Sequence, residues 1–313
     1  VLKKFLVMRA DMQLRELGML VLLAAIWGAS YLFLRVAAPV LGALVLIDAR
    51  VLLAGVVLWV YALALGRAPA LRARWRSVVW LGVINAALPF VLIASATVYL
   101  HASFAVIVNA TTPIFTAIVA AVWLQEPFTW RKVLGLCLGI VGVSVLVGWT
   151  PLALNPMVVG AIIMALTGAL CYGIGGVYTR VAFKGMMPLD LAIGQQLAAG
   201  MTLLPFAAWV MPTTMPDLNV LGALLGLSLL STAFAYLIYF ELIARVGPTK
   251  TLSVTFLSPC FGILWGVLFL GEPIYISMWL GLAIILMGVL LITEVQLPRA
   301  ILCAISSHNK NEA

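Results

Sequence analysis

The chain has 313 residues, of which 65% are hydrophobic and 9% charged, and its mean hydropathy is +1.20. A soluble domain carries roughly 25% charged residues, so lipid is the main solvent here and a water-soluble enzyme is excluded. The net charge of +8 comes from cations in short polar stretches between apolar runs, which is a topology signal and not a nucleic-acid-binding patch.

Apolar runs of about 20 residues predict membrane-spanning helices rather than barrel strands. In chain order they fall at 17–37, 40–65, 78–100, 102–124, 130–148, 157–183, 189–211, 218–244, 250–270 and 274–293. A polar segment, 1–16, precedes them and a tail, 294–313, follows. The N-terminus is basic but has no small-residue cleavage site, so the first run reads as a retained span. Pro39, Pro151, Pro156, Pro188, Pro212, Pro216 and Gly247-Pro248 punctuate the connections.

With the N-terminus inside, all of the 18 Lys and Arg residues except Arg35 and Arg50 fall on the cytoplasmic side. An odd number of spans destroys that asymmetry. The positive-inside rule therefore predicts an all-α, ten-helix bundle with both termini cytoplasmic.

The chain also repeats itself. At an offset of 146, residues 109–146 match 255–292 at Pro113/Pro259, Phe115/Phe261, Leu124/Leu270, Glu126-Pro127/Glu272-Pro273, Leu134-Gly135-Leu136/Leu280-Gly281-Leu282 and Gly142-Val143/Gly288-Val289. An offset of 145 aligns Gly28 with Gly173, Arg35-Val36-Ala37 with Arg180-Val181-Ala182, and Gly55 with Gly200. Two five-helix repeats, 17–150 and 151–293, follow. Five is odd, so the second enters the membrane from the opposite side. Such inverted repeats place a solute site near the midplane between them.

Trp27-Gly28-Ala29-Ser30, the stretch from Arg50 to Ala54, Glu126-Pro127 with Gly135 and Gly142, and Gly271-Glu272-Pro273 with Gly281 and Gly288 carry a resemblance. Over residues 17–293 the chain resembles the EamA-like family of the drug/metabolite transporter superfamily. The resemblance implies a 5+5 inverted-repeat carrier with a central cavity. Many bacterial members are exporters of amino acids, other metabolites or drugs, and some resemble aromatic amino-acid exporters.

Six side chains are candidates for the cavity wall: Trp27, Tyr31, Asn85, Asn109, Tyr172 and Tyr236. Trp27 and Tyr31 are spaced i, i+4 on one helix face, and Tyr172 aligns with Trp27 in the second repeat. Asn85 and Asn109 cannot face lipid cheaply. The alternative for each aromatic is packing or an interfacial belt. Arg50 and Glu241 are candidates for a charge role. Counting from the cytoplasmic end of its span, Arg50 is expected near the outer interface, where it can snorkel. Asp48, two residues away, does not share its face. Glu241 is spaced to pair with Arg245, and Glu126 and Glu272 are expected to serve the dipoles of the fifth and tenth helices. No carboxylate reads as stranded at mid-bilayer, which favours facilitative movement over strict proton coupling. Pro113 and Pro259, repeat-related and inside spans, are candidate hinges, with a static kink as the alternative. Gly135 and Gly139, like Gly281 and Gly288, suit close helix packing, either internal or in a homodimer.

Other chemistries lack their parts. The chain has no phosphate-binding loop and no Cys/His metal spacing among Cys137, Cys171, Cys260, Cys303, His101 and His308. No cofactor is expected. The expected partners are a small-molecule substrate and the bilayer. A sugar importer, a channel, an intramembrane enzyme and a non-transporting subunit are the rival readings.

Overall fold

A computed structural model describes residues 14–293, apart from 128, 151–154, 213–214, 247–250 and 252–253. The terminal segments 1–13 and 294–313, with Cys303 and His308, lie outside the described residues. Among the described residues the chain is all-helical. Eight helices are long and apolar enough to cross a membrane: α1 (Leu14–Leu41), α2 (Ala43–Ala64), α3 (Trp75–Tyr99), α4 (Ala102–Trp123), α5 (Trp130–Trp149), α6 (Pro156–Ala182), α7 (Pro188–Trp209) and α8 (Leu218–Val246). Two shorter apolar helices follow, α9 (Val254–Leu270) and α10 (Ile276–Thr293).

The outer surface is apolar, as a lipid-facing wall must be. Trp209 is 90% exposed and Ile276 72% exposed. Polar side chains turn inward instead: Arg50, Asp48, Gln195, Gln196, Ser231 and Thr232 are all buried. Pro39 does not mark a connection. It lies within the last turn of α1, and Gly42, in the left-handed region at φ 72°, makes the turn into α2.

Small residues decide which helices meet. A Cβ on Gly55 of α2 would lie 2.7 Å from Leu197 of α7, and one on Gly200 of α7 would collide with Leu52 of α2. Gly28 of α1 meets Phe261 and Gly262 of α9, while Gly173 of α6 meets Phe115 and Thr116 of α4. Gly142 of α5 meets Ile285 of α10, and Gly288 of α10 meets the Gly135 carbonyl and the Gly139 nitrogen of α5. The glycine-rich faces of α5 and α10 thus pack on each other within one chain. Each contact has a counterpart 145 or 146 residues away.

Two helices widen locally. Val83–Ala87 in α3 and Gly226–Phe234 in α8 are π-helical. Such turns open the regular ladder and commonly occur at functional sites. α4 is interrupted at Ala110–Thr111, immediately before Pro113. Its repeat counterpart α9 runs unbroken through Pro259.

Candidate functional site

The most costly residue in the bundle is Arg50. A guanidinium inside a membrane domain needs compensation. Arg50 is only 7% exposed: its side chain is enclosed by the bundle. Its Nε donates at 2.9 Å to Oγ1 of Thr232, which lies in the π-helical stretch of α8. Its guanidinium carbon sits 4.0 Å from the centroid of the Phe90 ring in α3. Tyr31, Tyr172 and Tyr236 are close enough for their hydroxyls to couple electrostatically with it. Phe90 and Tyr172 meet edge-on at 6.1 Å. Helices α1, α2 and α3 therefore converge with α6 and α8 on one cation.

A second polar run adjoins it. Asn85, in the π-helical stretch of α3, donates from Nδ2 to Gln195 Oε1 at 2.9 Å, and Gln195 Nε2 donates to the Tyr236 hydroxyl at 2.8 Å. Tyr236 and Tyr239 pack edge-on at 6.4 Å, and Trp27 packs on Tyr239 at 5.5 Å. The structure thus brings five of the six expected residues into one connected cluster: Tyr31, Tyr172 and Tyr236 around Arg50, Asn85 through Gln195, and Trp27 through Tyr239.

Asn109 stands apart. It ends the first segment of α4, and its carbonyl and amide oxygens lie 2.7 and 3.5 Å from the Thr112 hydroxyl. It lies at the break in α4 instead of joining the cluster. Glu241 pairs with Arg245 at 2.6 Å, as its spacing predicts, and Glu16 lies 3.9 Å from the same arginine. That ion pair lies near the C-terminal end of α8, and neither residue is a contact of Arg50.

Phe90, Gln195 and Thr232 were not singled out from sequence. Adjacent Gln195 and Gln196 inside an apolar run were a readable polar signal. Phe90 and Thr232 gave none, because phenylalanine and threonine are ordinary in a span. Asp48, in the second turn of α2, is buried, and its Oδ1 has no hydrogen-bond partner among the described residues. Among the described residues no group of His, Cys, Asp and Glu could hold a metal ion.

A polar and aromatic cluster is thus buried inside an apolar helical bundle. The amino-acid sequence matches the EamA-like transporter family twice, over residues 14–148 and 159–294. The chain belongs to that family. The EamA-like chain is 29% identical over 303 residues to the uncharacterized inner membrane transporter YedA of Escherichia coli K12, covering 91% of this chain and 93% of YedA. It is 23% identical to an uncharacterized transporter of Archaeoglobus fulgidus, covering 88% of this chain and 97% of the relative. It is 26% identical to the protein PecM of Dickeya dadantii, covering 87% and 90%. A crystal structure superposes with a TM-score of 0.64 at 18% identity, over 88% of this chain and 96% of that one, which is a likeness of fold. The protein is a multi-pass membrane transporter.

The two ends of this EamA-like bundle are built from related residues in different arrangements. At one end an open cleft of about 550 Å³ is lined by Arg35, His101, Leu270 and Glu272 among others. At the other a cleft of about 430 Å³ is lined by Leu124, Glu126, Arg180, Val181 and Lys184. Leu270, Glu272 and Arg35 are the repeat counterparts of Leu124, Glu126 and Arg180. Glu272 does not serve the start of α10, as expected from sequence. It reaches the N-terminus of α4, accepting from Ala102 N at 2.6 Å, Ser103 N at 3.0 Å and Ser103 Oγ at 2.5 Å, with His101 Nδ1 at 3.8 Å. Burial raises its pKa, but nearby His101 and the hydrogen bonds from Ser103 and Ala102 outweigh burial and hold the carboxyl at about 2. Glu126 instead accepts from Arg180 Nη1 at 2.7 Å, with Lys132 at 3.6 Å. The Arg180 hydrogen bond is the main cause of its lowered pKa. Arg35 donates to the carbonyls of Thr97 and Val98 at 2.8 and 2.6 Å.

Proposed function

We propose that the protein is a secondary transporter that carries a small organic metabolite across the inner membrane by alternating access. Two five-helix halves, 17–150 and 151–293, thread the bilayer in opposite senses, with both termini on the cytoplasmic side. The solute binds where Arg50, Tyr31 and Asn85 of the first half meet Tyr172, Gln195, Thr232 and Tyr236 of the second. The convergence of polar groups from both halves on one cluster carries this reading. The double family match and the paired glycine contacts support two related halves.

The unequal ends supply the access states. Glu272 bound to the start of α4 is the shut state of a gate, and Glu126 turned to Arg180 is the exchanged state of its repeat counterpart. Pro113, beside the break in α4, and Pro259, in unbroken α9, act as hinges that exchange these conformations. Export is the direction favoured by the family resemblance, with amino acids, aromatic ones included, and drug-like solutes as the first candidates.

The test is counterflow by purified protein in liposomes, with amino acids, aromatic acids and sugars offered separately. The reading predicts saturable exchange of at least one organic solute, lost in Tyr236→Phe and Asn85→Ala variants that keep their elution profile. Unsaturable conductance points to a channel, and exchange unaffected by both substitutions removes the site.

A further inference from the structure

Arg50 has more donors than partners. A guanidinium carries five N–H groups in a planar fork. One, on Nε, reaches Thr232 Oγ1, and the Phe90 ring covers the plane. Among the described residues no carboxylate oxygen comes within the 4.0 Å of an ion pair with Arg50. Asp48, the nearest acid in sequence, is not paired with it, and its own Oδ1 is enclosed without a partner. Among the described residues the terminal Nη atoms make no hydrogen bond, and neither is one of the fully enclosed atoms left without a partner. The fork is therefore left without a protein acceptor or an ion-pair partner among the described residues. An unneutralised cation at this depth is a costly feature, and it attracts an anion strongly where the dielectric is low.

We propose that Arg50 is the anion-recognition element of the transport site, so that the carried solute is an organic acid whose carboxylate docks bidentately on its Nη1 and Nη2. The inference deepens the transporter reading and rests on it. The rest of the ligand meets Phe90, Tyr31 and Tyr172 on one side and the neutral donors and acceptors of Asn85, Gln195 and Tyr236 on the other. Aromatic walls suit an aromatic or branched acid. Because the cluster holds a cation and neutral amides with no ionised acid opposite them, a free ammonium on the solute has no dedicated partner there. Simple carboxylates are thus preferred over amines of the same shape.

The experiment uses full-length protein in phosphatidylcholine vesicles, which supply no anionic headgroup. Phenylacetate, phenylacetamide and phenethylamine are compared as ligands by thermal stabilisation and by flux. Phenylacetate is expected to stabilise the protein, with the amide and the amine at least roughly tenfold weaker. Arg50→Gln is expected to weaken phenylacetate by roughly 10- to 100-fold while leaving phenylacetamide within about twofold, and Arg50→Lys to fall between, because it keeps the charge but loses the fork. If Arg50→Gln fails to fold, the ranking of the three compounds on the wild type decides alone. Equal binding of all three compounds, tighter amine binding, no binding of phenylacetate, or a folded Arg50→Gln that binds phenylacetate as the wild type does overturns the proposal. Charge-selective binding without flux instead leaves the anion site standing and overturns the transporter reading. A repeat with about a tenth of the lipid replaced by phosphatidylglycerol separates a solute site from a lipid site: loss of phenylacetate binding there would assign Arg50 to headgroups and overturn the proposal.

Discussion

Glu272 and Gln125 show how single positions hold the bundle's ends. Glu272 has a carboxyl at about 2 in the folded protein against an ordinary 4.5. A lowered folded pKa contributes stability that is fully present above 4.5 and is lost as pH falls through about 2. The contribution is on the order of 3 kcal/mol. Glu272→Gln is therefore expected to lower the melting temperature at pH 7 and to flatten its fall between pH 5 and pH 3. A variant whose melting curve matches the wild type across that range would remove the cap from the account. Gln125 is the non-glycine residue in the left-handed region among those described, at φ 54°, and its repeat counterpart is Gly271 at φ 62°. A side chain there is strained by about 1 kcal/mol, so Gln125→Gly is expected to stabilise the protein by that amount in a detergent melt.

At the scale of the element, packing depends on where glycine is required. A Cβ on Gly288 would lie 2.6 Å from the Gly135 carbonyl of α5, whereas one on Gly222 of α8 meets nothing within 4 Å. Gly288→Val is expected to cost at least about 2 kcal/mol, and Gly222→Ala to be neutral or stabilising by up to about 1 kcal/mol, both read from thermal melts. Equal effects would mean that α5 and α10 do not rely on this contact. The element boundaries were legible because apolar runs and prolines are local signals. The ten predicted runs coincide with helices within a few residues. The π-helical stretches in α3 and α8 and the break in α4 were not legible. The π-helical stretches hold Thr232 and Asn85, whose partners Arg50 and Gln195 are distant in sequence. Glu272 was misplaced for the same reason: its partner, the start of α4, lies about 170 residues away in sequence.

For the whole molecule, the sequence carried the two-fold pattern through its matched Pro, Glu-Pro and Gly landmarks, and the packing carries it again. Tyr31, Tyr172 and Tyr236 could be nominated from sequence as polar aromatics within spans. That they surround a buried arginine could not, because Arg50 has no partner nearby in sequence and its depth is set by tertiary contacts. The orientation inferred from the Lys and Arg distribution predicts that fluorescent protein fused to the C-terminus lights up in the cytoplasm, and that alkaline phosphatase there stays inactive. The reverse pattern would invert the topology.

The central claim is that the Glu272 end must open for a solute to pass. In a variant lacking the native cysteines, His101→Cys and Glu272→Cys place two thiols across that cleft, where a short bifunctional methanethiosulfonate can bridge them. Counterflow in liposomes is the measurement. The account predicts that bridging abolishes exchange, that reductant restores it, and that the same reagent leaves each single-cysteine variant active. Exchange that continues at the unbridged rate with the link complete would contradict it.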